Sequence, residues 1–268
     1  MTEERQQFER TLVGTVPFEV TNLQSATDYM INEALARTPV PVRLANAYCV
    51  AVASKDLEYR GLLSGEGVNF PDGTPVVWAM SRNSHLGSRP GRVRGPSLFV
   101  NTIDQGRRKG LRHYFLGTTP ETLKLLVSKI EAVYPGAIVA GAFAPPFGEL
   151  DHKFYESCVQ RIEPCEPHIL WVALGSPKQD YATRYLARSV GVPCVGVGAA
   201  FDFVAGTAKE APRWMQDHAV EWLYRFATEP GRLWKRYLFG NILFAASVAK
   251  SRKLNKLGMS TPHDKETT

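Results

Sequence analysis

Short apolar runs alternate with amphipathic runs along most of the chain, and that alternation predicts its elements. Leu12–Val16 reads as a strand and Gln24–Ala36 as a helix. Val40–Leu44 is a strand, and Lys55–Leu63 a helix behind a cap at Ser54. Val68–Phe70 is a short strand that runs into Pro71-Asp72-Gly73, and Pro96–Lys109 is a helix. His113–Leu116 is the next strand. Thr118 and Glu121 after it have capping-box spacing, with Pro120 suited to a first helical position. That helix should end near Tyr134-Pro135-Gly136. Ala137–Ala140, His168–Leu174 and Pro193–Val197 read as strands, Glu149–Ile162 and Lys178–Ser189 as helices. Such alternation implies an α/β fold: a mostly parallel sheet with helices on both faces.

In sheets of this kind ligands bind beyond the carboxyl ends of the strands. The rule selects Asn46, Asp72, Gly117–Thr118 and Gly175–Gln179. Asp72 precedes Gly73, which tolerates positive φ and close ligand approach. An aspartate there can act as a general base on a sugar hydroxyl, although Asp-Gly is also a common plain turn. Gly117 and Thr118 lead into a helix N-terminus, which either holds a phosphate or is simply capped. Lys178 offers a cation for a diphosphate, and Gln179 both a donor and an acceptor.

Gly196-Val197-Gly198-Ala199-Ala200-Phe201 fails as a dinucleotide fingerprint. Phe201 stands at the third glycine position, and no helix-forming run is expected directly after it. This argues against an enzyme dependent on nicotinamide or S-adenosylmethionine. No Asp-x-Asp pair occurs, Glu149-Leu150-Asp151 sits at a helix start, and none of the six histidines has metal-ligand spacing with another. No metal or other cofactor is expected, and His113 and His168, inside strands, read as structural.

Composition narrows the class. With 268 residues, 44% hydrophobic and 22% charged, the chain suits one large core with a small appendage. The first ten residues hold no apolar run of the kind a signal peptide needs. Ile169–Leu174 and Ile242–Ala249 fall short of the roughly 18 apolar residues of a membrane span. Cys49, Cys158, Cys165 and Cys194 form no C-x-x-C pair and read as reduced thiols.

From Ala205 the pattern changes. Pro212 precedes a helical run, Arg213–Ala227; Glu229-Pro230-Gly231 is a turn; a second run, Arg232–Lys250, carries Arg232 and Arg236 one turn apart. Arg213–Lys256 holds nine basic and three acidic residues, a surplus equal to the net charge of +6 on the whole chain, and three of the five tryptophans. Cations beside amphipathic rings suit an anionic membrane interface. A plain basic helix packed on the main domain is the alternative. A nucleic-acid surface is disfavoured because no helix-turn-helix or RNA-recognition signature accompanies the charge. The expected domains are 1–206, a helical appendage over 207–250, and a polar, disordered tail over 251–268.

Taken in order, several segments resemble one family: Asn46, Pro71-Asp72-Gly73, Arg92-Val93-Arg94-Gly95, Phe115-Leu116-Gly117, Val172-Ala173-Leu174-Gly175-Ser176-Pro177-Lys178-Gln179, Val197–Gly206, Glu221-Trp222-Leu223-Tyr224-Arg225 and Glu229-Pro230. Together they resemble the WecG/TagA/CpsF family of bacterial glycosyltransferases. The resemblance implies a Rossmann-like core and inverting transfer from a UDP-sugar to an undecaprenyl-diphosphate-linked saccharide. It implies a membrane-docking C-terminal appendage and a location on the inner face of the cytoplasmic membrane. It makes Asp72 the general base and puts Gln179, Arg92, Asn46 and Asp202 near the donor. Arg225, Arg232 and Arg236 would bring charge to a diphosphate. Gly117, Thr118, Gly175, Pro177 and Lys178 complete the expected donor site. Family members can form homo-oligomers, which no motif here reports.

Two departures stand out. Many members have Thr-Pro-Asn where this chain has Leu44-Ala45-Asn46, and Lys-Arg-Ala-Pro where it has Lys209-Glu210-Ala211-Pro212. The first points away from N-acetylmannosamine as the donor sugar and towards the GumM-like exopolysaccharide members, which use UDP-glucose. Both departures also allow a non-catalytic regulator that binds a nucleotide sugar at the membrane.

Overall fold

The computed structural model describes residues 7–83, 86–212, 214–215, 224 and 240–251. Six strands form one parallel sheet in the order β4-β3-β8-β7-β5-β6. They are β3 (Pro41–Ala45), β4 (Val68–Pro71), β5 (Arg112–Gly117), β6 (Ile138–Phe143), β7 (Ile169–Ala173) and β8 (Cys194–Gly196). β3 and β4 are buried throughout, as strands inside a parallel sheet covered on both faces are; their polar members Arg43 and Asn69 are hydrogen-bonded, Arg43 to the Glu66 carbonyl and Asn69 to the Leu63 carbonyl. Ile169 and Trp171 of β7 pack into one cluster with Phe99, Phe115 and Phe201, while Leu170 and Val172 pack into another with Phe154 and Leu186. Alternate side chains thus feed two layers of helix. The first layer holds α1 (Leu23–Leu35), α5 (Gly95–Gly106), α6 (Pro120–Val133) and α9 (Ala200–Ala205); the second holds α7 (His152–Ile162) and α8 (Lys178–Val190).

Six expectations change. Leu12–Val16 is not one strand: Gly14, at φ +64, turns the chain between β1 (Arg10–Val13) and β2 (Val16–Glu19), an antiparallel hairpin. The segment after Asn46 forms α2 (Ala47–Ala53), whose nearly uniform apolar run carries no polar period to reveal it. Ser54 therefore ends α2, and Asp56 caps α3 (Leu57–Ser64) by accepting the Tyr59 amide. Asp72-Gly73 likewise opens a short helix, α4 (Thr74–Met80), with Gly73 at φ +93. The cap of α6 is Thr119 rather than Thr118, which takes φ +54. A helix does follow Gly198: α9 begins at Ala200 with Phe201 fully buried in the first cluster.

All four cysteines are free thiols, three of them buried. Residues 240–251 are helical. Phe244 and Val248 from this helix pack on the cluster built by the hairpin, α2 and α3, and Ser247 lies against Gly14. No described helix is long and apolar enough to cross a membrane. Arg225, Arg232 and Arg236, most of the expected helix over Arg213–Ala227 and all of the expected tail over 251–268 except Ser251, which is helical, lie outside the described residues.

Candidate active site

The carboxyl ends of β3, β4, β5, β7 and β8 open into one cleft of about 530 Å³. Six expected residues line it: Asn46, Asp72, Thr118, Gly175, Gln179 and Asp202. Their elements explain why they meet.

Asp72 directly follows β4 and is half-buried. Its amide donates to the Ala45 carbonyl at 2.9 Å, and the Val93 amide donates to the Pro71 carbonyl at 2.9 Å. The backbone on both sides of the carboxylate is therefore fixed by neighbouring segments. Asn46 caps α2, its Oδ1 accepting the Tyr48 and Cys49 amides at 3.0 and 3.3 Å. Capping uses the oxygen, so what Asn46 offers a ligand is its amide donor.

Gln179 is the organising side chain of the opposite wall. It is 2% exposed. Its Oε1 accepts the amides of Gly175, at 3.2 Å, and of Gly198, at 3.0 Å, while Nε2 donates to Ser176 Oγ at 3.3 Å. One amide thereby joins the turns that follow β7 and β8. A Cβ at Gly196 would lie 3.0–3.2 Å from this side chain, so glycine there admits Gln179. Thr118 Oγ1 donates to Asp202 Oδ1 at 3.2 Å, linking the turn after β5 to α9. Gly117 sits behind that link: at φ +122, its Cβ would lie 2.4 Å from the Ala173 carbonyl.

Four other expected residues among the described ones do not line the cleft. Lys178 donates from Nζ to the Gly148 carbonyl, and its ammonium lies 5.9 Å from the centre of the Phe154 ring. Lys178, Pro177, Gly117 and Arg92 are not among the residues lining the cleft. Arg94, two residues beyond Arg92, does line it, as do Leu44 and Phe147. Phe147 is 89% exposed, an aromatic ring on the cleft's rim. Neither Arg94 nor Phe147 was expected: nothing in the spacing of Arg92-Val93-Arg94 favours the second arginine, and Phe147 lies in a Pro-rich loop without periodicity. Leu44 makes its part of the wall apolar.

A cleft over the strand ends, a fixed aspartate on one side and glycine-bearing turns on the other can hold a nucleotide and a hydroxyl nucleophile together. Comparison with known proteins gives that chemistry a class. A sequence profile described as the glycosyl transferase WecG/TagA/CpsF family matches residues 11–257. The chain belongs to this family. It is 29% identical over 259 residues to a protein of Bacillus subtilis strain 168, covering 95% of this chain and 97% of that one. That relative is an N-acetylglucosaminyldiphosphoundecaprenol N-acetyl-beta-D-mannosaminyltransferase. A relative of the same description from Bacillus spizizenii W23 is 29% identical over 189 residues, 69% of this chain and 70% of that one. Membership makes this cleft, with Asp72, Gln179 and Asp202 in its walls, the candidate glycosyl-transfer site.

Proposed function

We propose that this protein is an inverting glycosyltransferase that moves a hexosyl residue from a UDP-sugar to a saccharide linked to undecaprenyl diphosphate. The observation that carries the reading is Asp72, held by its backbone at the edge of a cleft whose far wall is formed by the turns that Gln179 joins. Both relatives named above act on a polyprenyl-diphosphate-linked sugar, which supports the acceptor class.

The acceptor hydroxyl donates its hydrogen bond to the Asp72 carboxylate. Its oxygen attacks the anomeric carbon from the face opposite the leaving diphosphate as the proton passes to Asp72. The C–O bond to UDP breaks, UDP leaves with the electron pair, and the anomeric centre inverts. Removing a general base costs about 100- to 10,000-fold in rate. Stabilisation of the leaving diphosphate falls to donors in the opposite wall and to the C-terminal arginines Arg225, Arg232 and Arg236. The basic, Trp-bearing C-terminal segment attaches the enzyme to the inner face of the cytoplasmic membrane, where the lipid-linked acceptor resides. The glycan is an exopolysaccharide or another cell-envelope polymer.

For the donor, Leu44 is the discriminating position. An apolar side chain in the cleft wall gives no hydrogen bond to the N-acetyl group of N-acetylmannosamine, which, with the resemblance to members that use UDP-glucose, supports UDP-glucose. Turnover with UDP-glucose, UDP-N-acetylmannosamine and UDP-glucuronic acid against a lipid-diphosphate acceptor tests the assignment. The expected result is UDP release and an inverted product, fastest with UDP-glucose. Nucleotide-sugar binding without UDP release would instead make the protein a regulator.

A further inference from the structure

The steps above leave one cation of the cleft wall without a role. Arg94 is the one Lys or Arg among the described lining residues. It stands at the start of α5, with its side chain 11% exposed. Glu210 Oε2 lies 3.6 Å from Arg94 Nη2. That separation is longer than the 2.7–2.9 Å of a charge-assisted hydrogen bond, so this is a loose ion pair.

The segment carrying Glu210 is anchored by hydrogen bonds before it and followed by a buried residue. The Thr207 and Ala208 amides donate to the Asp202 carbonyl at 3.0 and 3.1 Å, and Ala211 is buried. Asp202 itself lines the cleft. The Glu210 carboxylate, one-third exposed, is thus carried to the guanidinium by a segment tied to the cleft residue Asp202.

We infer that Arg94 binds the diphosphate of the nucleotide donor and that Glu210 is its placeholder, a carboxylate that neutralises the guanidinium until the diphosphate displaces it. The inference rests on the glycosyltransferase reading. The guanidinium fork matches two phosphoryl oxygens as it matches a carboxylate, but a diphosphate brings more charge and more acceptors than a one-third-exposed carboxylate at 3.6 Å. Exchange of one anion for the other needs no rebuilding of the wall. It makes donor affinity a difference between two contacts of the same arginine, which Glu210 lowers.

Calorimetric titration of the full chain with UDP, and with uridine as the phosphate-free control, tests this. Glu210→Gln should tighten UDP about two- to fivefold, the span of a partly exposed ion pair. Arg94→Gln should weaken UDP about tenfold or more, the loss of charge-assisted hydrogen bonds. Uridine affinity should not move in either variant. In Arg94→Gln/Glu210→Gln the Glu210 change should add less than about twofold, because its effect runs through Arg94. Unchanged or weaker UDP binding in Glu210→Gln overturns the inference, as does the same gain with and without Arg94. Should Arg94→Gln fail to fold, Glu210→Gln and Glu210→Lys decide between them: both must tighten UDP and spare uridine. A folded wild type that binds neither UDP nor uridine sinks the glycosyltransferase reading itself, and this inference with it.

Discussion

Gln179 Oε1 accepts the backbone amide of Gly198 at 3.0 Å, and through that bond a side chain of α8 sets the position of the turn after β8. The same oxygen takes the Gly175 amide, so the two turns facing Asp72 move together or not at all. Replacing Gln179 with Leu leaves two amide donors without their acceptor, each worth about 1–3 kcal/mol if it stays buried. Urea unfolding should show that loss, and calorimetry should show weaker UDP binding. Gln179→Glu restores an acceptor for both amides while removing the donor to Ser176. It should recover much of the stability but not the affinity, because its charge repels a diphosphate.

Asp180, the next residue of α8, is held from beneath. The Tyr59 hydroxyl donates to Asp180 Oδ2 at 2.6 Å, with both side chains buried. Burial first, then the neighbouring Cys49 and Asp180, pushes the Tyr59 hydroxyl far above the usual phenol range, so it remains a donor. Tyr59→Phe should cost about 1–3 kcal/mol in urea unfolding, with donor affinity less affected than in Gln179→Leu.

His113 supplies a pH signature. It is fully buried in β5, its Nδ1 accepts the Trp171 indole N–H at 3.1 Å, and burial, followed by His168, lowers its pKa to about 3. The unfolded chain binds this proton near pH 6.5 and the folded one only near 3. The unfolded state therefore holds more protons between those values, and stability falls as pH drops from 6.5 towards 3. His113→Gln keeps an acceptor for Trp171 without titrating. Its stability measured against pH should lose about one proton of slope in that window relative to wild type.

The C-terminal charge predicts a salt-sensitive surface. Binding of the full chain to vesicles with anionic lipids should weaken sharply between low and high salt, since the Debye length shrinks from about 30 Å at 0.01 M to about 8 Å at 0.15 M. Salt-independent binding would leave the tryptophans, not the nine basic residues of Arg213–Lys256, as the attachment.

The rule that ligands gather at strand ends was legible because most of the parallel strands read as mainly apolar runs, interrupted by Arg43, Asn69 and His113. It brought Asn46, Asp72, Thr118 and Gln179 to one place from four separate segments. What stayed hidden depends on contacts between segments. Arg94 reaches the cleft because Val93 pairs with Pro71, a link no local spacing encodes. Lys178 and Gln179 are adjacent in sequence, yet at the start of a helix successive side chains diverge by about 100°, so one enters the cleft wall and the other meets Gly148. The split of Leu12–Val16 turns on Gly14 alone, a single glycine inside an apolar pattern. α2 and α9 are short and apolar, and only tertiary burial distinguishes them from strand or loop.

The role of Asp72 is decided by turnover of Asp72→Asn on a UDP-sugar and a lipid-diphosphate acceptor, alongside calorimetry with UDP. Asparagine keeps the shape and removes the base. Unaltered UDP affinity with a rate about 100- to 10,000-fold lower is the predicted result. A rate within a few-fold of wild type would contradict proton removal by Asp72 and require another base in the cleft.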